Sequence, residues 1–253
     1  MFDAKKEVNR IITFVREYYK ENNLGGAVLG ISGGKDSAVV AALMVKALGS
    51  ENVVGLTLPC HSKDSDRSDA HLISDYYGFK MYNIDLTNVF DTFKNEIYNN
   101  IGEFSDKELE NSDINLKPRL RMASLYYMSA LLSAISGKTY LVAGTSNKCE
   151  LFVGYFTKGG DSVSDIAPIA EYTVSEVIAI GEELGIPHEV LHKTPSDGLS
   201  NLSDEDKLGV TYKDIETVIR GGSISTQAKE KIKKLHDGSR HKFNTPTCKR
   251  SND

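Results

Sequence analysis

Ala27-Val28-Leu29-Gly30-Ile31-Ser32-Gly33-Gly34-Lys35-Asp36-Ser37 is the stretch that decides the fold. Ala27 to Ile31 is an apolar run that reads as a buried strand. Ala38 to Leu48, rich in Ala, Val, Leu and Met on helical spacing, reads as a helix. Between them Ser32 to Ser37 makes a Gly-Gly turn flanked by hydroxyls. Such a turn is a ready phosphate cradle, because glycines let backbone N–H groups approach an anion and the helix N-terminus adds partial positive charge. It is not a Walker A loop, which needs a longer Gly-to-Gly-Lys spacing and a Ser or Thr directly after the Lys. Here Asp36 follows Lys35, so a carboxylate stands at the mouth of the loop. A carboxylate beside bound phosphates calls for a cation between them, which points to Mg²⁺. The plainer alternative is a strand–turn–helix connection with no ligand.

Working outward, Val8, Ile11, Ile12, Val15 and Tyr19 form a helical stripe before the strand. Asn52 to Pro59, Lys80 to Asp85 and Thr139 to Ala143 read as further strands. Helices fall between them: one after the polar loop through Asp64, one over Asn88 to Tyr98, and a long one from Pro118, a residue suited to a first turn. Asn99 to Lys117 is polar and acidic and reads as loop-rich. This alternation predicts an α/β fold: a doubly wound, Rossmann-like parallel sheet of about five strands with helices on both faces. The fifth strand is placed near Ile186 to Leu191, among helices at Thr173 to Leu184, Tyr212 to Arg220 and Ser225 to Leu235. Ligands of such sheets bind at the carboxyl ends of strands. Ser32 and Thr145 both lie just past such an end, which assigns them to one site.

A chain of 253 residues suits one domain, residues 1–253, better than two. No stretch approaches the roughly 20 apolar residues of a membrane span, and Met1 to Glu7 lacks the apolar core of a secretory signal. A net charge of −5 argues against an extended nucleic-acid surface. The basic run from Lys229 to Lys234 reads as a solvated helix face. Cys60, Cys149 and Cys248 are odd in number, far apart and without a C-x-x-C pair, which disfavours a disulfide framework or a zinc site and fits a reducing cytoplasm.

Ser32-Gly33-Gly34-x-Asp36-Ser37 resembles the pyrophosphate loop of the ATP-pyrophosphatase (adenine nucleotide alpha-hydrolase-like) superfamily, whose members split ATP into AMP and pyrophosphate. Gly144-Thr145-Ser146-Asn147-Lys148-Cys149-Glu150-Leu151, then Gly154-Tyr155-Phe156-Thr157-Lys158-Gly159-Gly160-Asp161-x-x-x-Asp165-x-x-Pro168, resemble the blocks distinctive of NAD synthetases. Segments at Asn115 to Met122, Pro195 to Leu199, Asp204 to Tyr212 and His241-Lys242 are similar to further parts of that family. The resemblance implies ATP-dependent amidation of nicotinic acid adenine dinucleotide (deamido-NAD) by ammonia, giving NAD, AMP and pyrophosphate. It implies no glutaminase (amidase) domain, since the synthetase part fills the chain, and it implies a homodimer.

Carried over residue by residue, it places ATP at Gly30, Ile31, Ser32, Gly33, Gly34, Lys35, Asp36, Ser37, Thr145 and Ser196. It places Mg²⁺ at Asp36 and Glu150, and the dinucleotide at Arg119, Lys158, Asp165, His241 and Lys242. Asp161, with Asp36 and Lys158, falls at the reacting centre, and Thr157 to Ala167 reads as a mobile lid. On their own, Glu150 reads as a first-turn helix carboxylate, Asp161 and Asp165 as turn residues, and His241 as a surface residue. Departures from the family pattern are Val174 where many members have a Lys, Lys207, Asp197 and Ser162-Val163. Two rival readings are another adenylating amidation enzyme of the GMP-synthetase type and a nucleotide sensor without catalysis.

Overall fold

Four parallel strands lie in the order β3-β2-β1-β4: β1 Gly26–Gly30, β2 Val53–Thr57, β3 Lys80–Asn83 and β4 Tyr140–Val142. The computed structural model describes residues 2–61, 65–102, 105–193, 203–248 and 250. β1 is central because it is apolar towards both faces. Its period-two alternation sends Ala27 and Leu29 to one layer and Val28 to the other. On the first face Ala27, Leu29 and Val53 meet α1 (Ala4–Glu21), α2 (Lys35–Leu48), α3 (Ser65–Tyr77) and α7 (Val174–Leu184). On the second, Val28 and Leu56 pack with Phe90 of α4 (Thr87–Ile101) and with Leu120 and Leu125 of α5 (Asp106–Ser136).

Every residue of α2 from Ser37 to Met44 is buried, so this helix is enclosed on all sides, in contact with α1 and α7. That enclosure fixes the helix start, where the glycine turn sits. β1 borders β2 on one side and β4 on the other, so the crevice at their carboxyl ends is the switch point of the sheet. Past those ends lies a second apolar cluster. Cys149 and Val153 of α6 (Lys148–Val153) pack there with Val174, Leu208 of α9 (Asp204–Leu208), Tyr212 and Ile215 of α10 (Tyr212–Ile219), and Ile232 of α11 (Thr226–Phe243).

Three sequence expectations need correction. Among the described residues the sheet has four strands rather than about five: Ile186 to Leu191 is not a strand but leads into α8 (His188–Leu191), begun by Pro187 at its N-cap. A short apolar run fits either state by pattern alone. Beyond β4 there is instead a single parallel bridge, Ala143 to Ile166. The stretch read as loop-rich is mostly helical, because α5 starts at Asp106 and carries Pro118 inside it. Pro118 cannot donate to the carbonyl of Ile114, but the good helix formers Glu108, Leu109, Glu110 and Leu116 carry the helix through. Finally, α11 runs past Leu235 to Phe243, so His241 and Lys242 sit on a helix and not on a loose terminus. Among the described residues no helix is long and apolar enough to cross a membrane.

Candidate active site

The glycine turn is zipped shut by its own serines. Ser37 Oγ accepts from Ser32 N–H at 3.2 Å and donates to the Gly34 carbonyl at 3.0 Å. Ser32 Oγ lies 3.1 Å from Ser37 Oγ and accepts from Gly34 N–H at 3.2 Å. Gly33 has φ of 78°, a left-handed conformation that explains a glycine at this position.

Asp36, in the first turn of α2, comes together with Glu150 of α6 through Asn147. This fully buried side chain donates from Nδ2 to Asp36 Oδ1 at 3.2 Å, and its backbone N–H donates to Glu150 Oε2 at 3.0 Å. Asn147 Oδ1 also accepts from Cys149 and Glu150 N–H, forming a capping box. Burial, and then the charge of Asp36, holds the Glu150 carboxyl well above the usual glutamate value, with Lys35 opposing. The Lys35 ammonium is buried and lies 2.8 Å from Asp36 Oδ2 and 5.7 Å from the Tyr212 ring centre. Burial pulls its pKa down, but Asp36, Glu150 and Asp204 outweigh that and raise it. Asp204, also buried, accepts from Tyr155 Oη at 3.1 Å and Tyr212 Oη at 3.4 Å.

These donors fit Mg²⁺. Two carboxylates on separate connections offer hard oxygen ligands, and no group of three or more ligating side chains forms among the described residues. Mg²⁺ is commonly held by one or two carboxylates, with water and substrate phosphates completing its shell.

Next to this constellation lies a cavity of about 540 Å³ lined by Gly144, Ser146, Phe156, Lys158, Asp161 and Lys242, among others. Asp161 Oδ1 accepts from Thr157 N–H at 2.8 Å and Ser162 Oγ donates to the Thr157 carbonyl at 3.0 Å, so the lid segment is folded on itself. It is clamped from two helices. Lys242 donates to the Gly154 and Phe156 carbonyls, each at 2.7 Å, and Lys158 donates to the His241 carbonyl at 2.9 Å. Arg119 Nε donates to the Lys158 carbonyl at 3.3 Å.

Asp161 is exposed at its edge, but the desolvation of its carboxyl by the surrounding segment raises its pKa from the ordinary aspartate value, against hydrogen bonds from Thr157 and its own N–H and the charges of Lys242 and Arg121.

The structure thus gathers Ser32 to Ser37, Asp36 and Glu150 at one point, and Arg119, Lys158, Asp161, His241 and Lys242 at another, with the Gly144 to Ser146 segment leading from the second towards Asn147. Thr145 is half-buried on that segment. Asp165 ties the lid exit to β4, since its two oxygens accept from Val142 N–H at 2.8 Å and Tyr126 Oη at 3.1 Å. His241 Nδ1 is 2.9 Å from the Gly238 carbonyl of its own helix. Val174 is buried in the second apolar cluster. Ser196 lies outside the described residues. Sequence reading missed the parts played by Asn147, Asp204, Tyr155 and Tyr212. Asn147-x-x-Glu150 carries the capping-box spacing that could have marked the first. The tyrosine–Asp204 contacts carry no local signal.

A family model described as NAD synthase matches residues 7–246. The chain belongs to the NAD synthase family. It is 36% identical over 243 residues to the NH3-dependent NAD+ synthetase of Carboxydothermus hydrogenoformans, covering 96% of each chain. Among solved structures, the NMN synthetase from Francisella tularensis superposes with a TM-score of 0.88 at 31% identity, over 98% of this chain and 99% of that one. The NH3-dependent NAD synthetase from Campylobacter jejuni superposes with a TM-score of 0.77 at 29% identity, over 99% and 100%. The fold is therefore shared with these synthetase structures over nearly the whole chain.

Proposed function

We propose that the protein is an ammonia-dependent NAD synthetase that adenylates the carboxylate of nicotinic acid adenine dinucleotide and then amidates it. The observation that carries this reading is the junction of Asp36 and Glu150 through Asn147, beside a glycine turn at the switch point of the sheet. A carboxylate does not react with ammonia unaided, because oxide is a very poor leaving group. Attack of the carboxylate on the α-phosphorus of ATP expels pyrophosphate and leaves a mixed anhydride. Ammonia then attacks the carbonyl carbon and expels AMP.

The Ser32 to Ser37 turn, with Thr145 and Ser196, binds ATP, and its N–H groups take the departing pyrophosphate. Asp36 and Glu150 would hold Mg²⁺, which would supply charge neutralisation on the phosphates. Lys158, Arg119 and Lys242 present positive charge, and His241 its ring, to a substrate carrying phosphate and carboxylate groups, with Asp165 beside them at the same substrate. Asp161, at the edge of the cavity, orients ammonia and, as the carboxylate, takes up its proton. The lid over Thr157 to Ala167 excludes water that would hydrolyse the adenylate.

The close superposition on an NMN synthetase favours a second acceptor, nicotinic acid mononucleotide, which carries the same reacting carboxylate. Pyrophosphate release with ATP, Mg²⁺ and ammonium decides among the readings. Turnover with the dinucleotide supports the first, and turnover confined to the mononucleotide the second. Turnover confined to xanthosine monophosphate supports a GMP-synthetase type. No release with any acceptor leaves a sensor.

Residues 1–253 act as one synthetase domain in the cytoplasm. We expect a homodimer, supported by two exposed apolar stripes on helices that touch: Val89, Phe93, Ile97 and Ile101 on α4, and Tyr127, Leu131 and Ile135 on α5. Their spacing of four puts each set on one helix face. Phe93→Glu with Ile97→Glu should shift the protein from dimer to monomer in sedimentation velocity. An unchanged dimer would place the interface elsewhere.

A further inference from the structure

We propose that Lys35 is a built-in stand-in for the metal: its ammonium holds Asp36 in the metal-free enzyme and must leave before a divalent ion can bind there. The inference rests on reading Asp36 and Glu150 as the metal ligands, and it concerns what guards them.

Both oxygens of Asp36 are engaged in the structure, Oδ1 by Asn147 at 3.2 Å and Oδ2 by Lys35 at 2.8 Å. The neighbouring residue in sequence thus folds its side chain back onto the carboxylate. The Lys35 residue is only 6% exposed. Behind the ammonium stands the Tyr212 ring, and Tyr212 and Tyr155 hold Asp204, whose charge also acts on Lys35. The ammonium pairs with Asp36 of α2, and the charges of Glu150 on α6 and, more weakly, Asp204 on α9 also act on it. A second cation drawn to Asp36 Oδ2 would meet this ammonium within a few ångströms, in surroundings poor in water, where like charges repel strongly.

Without nucleotide, a divalent ion competes with Lys35 and binds weakly. With nucleotide, phosphate oxygens supply the ion with further ligands and give the displaced ammonium a new counter-charge. Metal and ATP then load together, and the carboxylate pair is kept assembled in between. A lysine that only stabilised the fold would leave metal affinity unchanged when replaced.

The test is Mn²⁺ binding, read from the free-ion electron paramagnetic resonance signal, in the full-length protein without nucleotide. K35M and K35Q should bind Mn²⁺ at least tenfold more tightly than the parent, and K35R, which keeps the charge, should bind as weakly as the parent. With a non-hydrolysable ATP analogue present the advantage of K35M and K35Q should shrink. Should K35M fail to give a native circular dichroism spectrum, K35Q, polar and closer to Lys in shape, carries the test. Mn²⁺ affinity in K35Q equal to or weaker than the parent would overturn the proposal. D36N separates the two levels. Loss of Mn²⁺ binding in the presence of the analogue upholds the ligand pair whatever Lys35 does, and unchanged binding removes the ligand pair itself.

Discussion

Asp36→Asn should cut pyrophosphate release by about 10³-fold, roughly 4 kcal/mol of transition-state stabilisation, in a protein that stays folded. Asparagine has nearly the same shape and keeps an oxygen to accept from Asn147 Nδ2. What it lacks is the negative charge that pairs with Lys35 and that a hard cation requires. Breaking a buried ion pair costs about 3–5 kcal/mol when one charge is left alone. Here the loss of stability should be smaller, because Lys35 still interacts with Glu150 and Asp204. Activity and stability should therefore separate. Turnover within tenfold of the parent would mean that Asp36 serves only to neutralise Lys35.

Gly154→Ala should be the most disruptive of the small substitutions, lowering stability by roughly 3 kcal/mol. Gly154 has φ of 69°, where a side chain is strained, and a β-carbon there would collide with Ser239 Cβ on α11. That helix has little room to yield. Ile232 is buried, the His236 ring stacks on Phe152 at 4.5 Å, and His236 Nδ1 meets the Phe152 carbonyl at 2.7 Å. Displacing α11 also pulls Lys242 off the Gly154 and Phe156 carbonyls that anchor the lid. Gly159→Ala is the control, because its φ of 75° carries similar strain but nothing lies within 4 Å of the added carbon. Urea denaturation should rank Gly154→Ala well below Gly159→Ala, and amide exchange across residues 154–162 should quicken only in the former. Equal losses would show that backbone strain, and not the α11 contact, dominates.

The parts of the fold legible in the sequence are those governed by local periodicity. β1, the buried α2 and the glycine turn between them are readable because the Gly-Gly pair separates a run too short for a helix from one long enough for it and helically spaced. The extra turns of α5 are not, since polarity masks the helix-forming residues around Leu109 and Pro118 draws the boundary too late. The strand expected at Ile186 to Leu191 fails for the opposite reason: its apolar residues are buried as expected, in another backbone state.

For the site, Asp36 is marked by its place in the glycine turn and Glu150 only by the family resemblance, and their meeting depends on Asn147 and on the β1–β4 neighbourhood, which only the sheet order supplies. Lys35 reads from sequence as a cation of the phosphate loop. It is held on Asp36 because Asp36, Glu150 and Asp204 converge from three parts of the chain. Asp165 reads on its own as a turn residue, and its hydrogen bond to Val142 N–H beside the Ala143 to Ile166 bridge depends on a strand neighbourhood that local sequence does not carry.

Isotope transfer probes the proposed chemistry most directly. With both carboxylate oxygens of nicotinic acid adenine dinucleotide labelled with oxygen-18, turnover in the presence of ATP, Mg²⁺ and ammonium should leave one labelled atom in the phosphate of AMP and one in the product amide. Label in inorganic phosphate alongside ADP, or AMP formed without any label, would contradict activation through an adenylated carboxylate at this site.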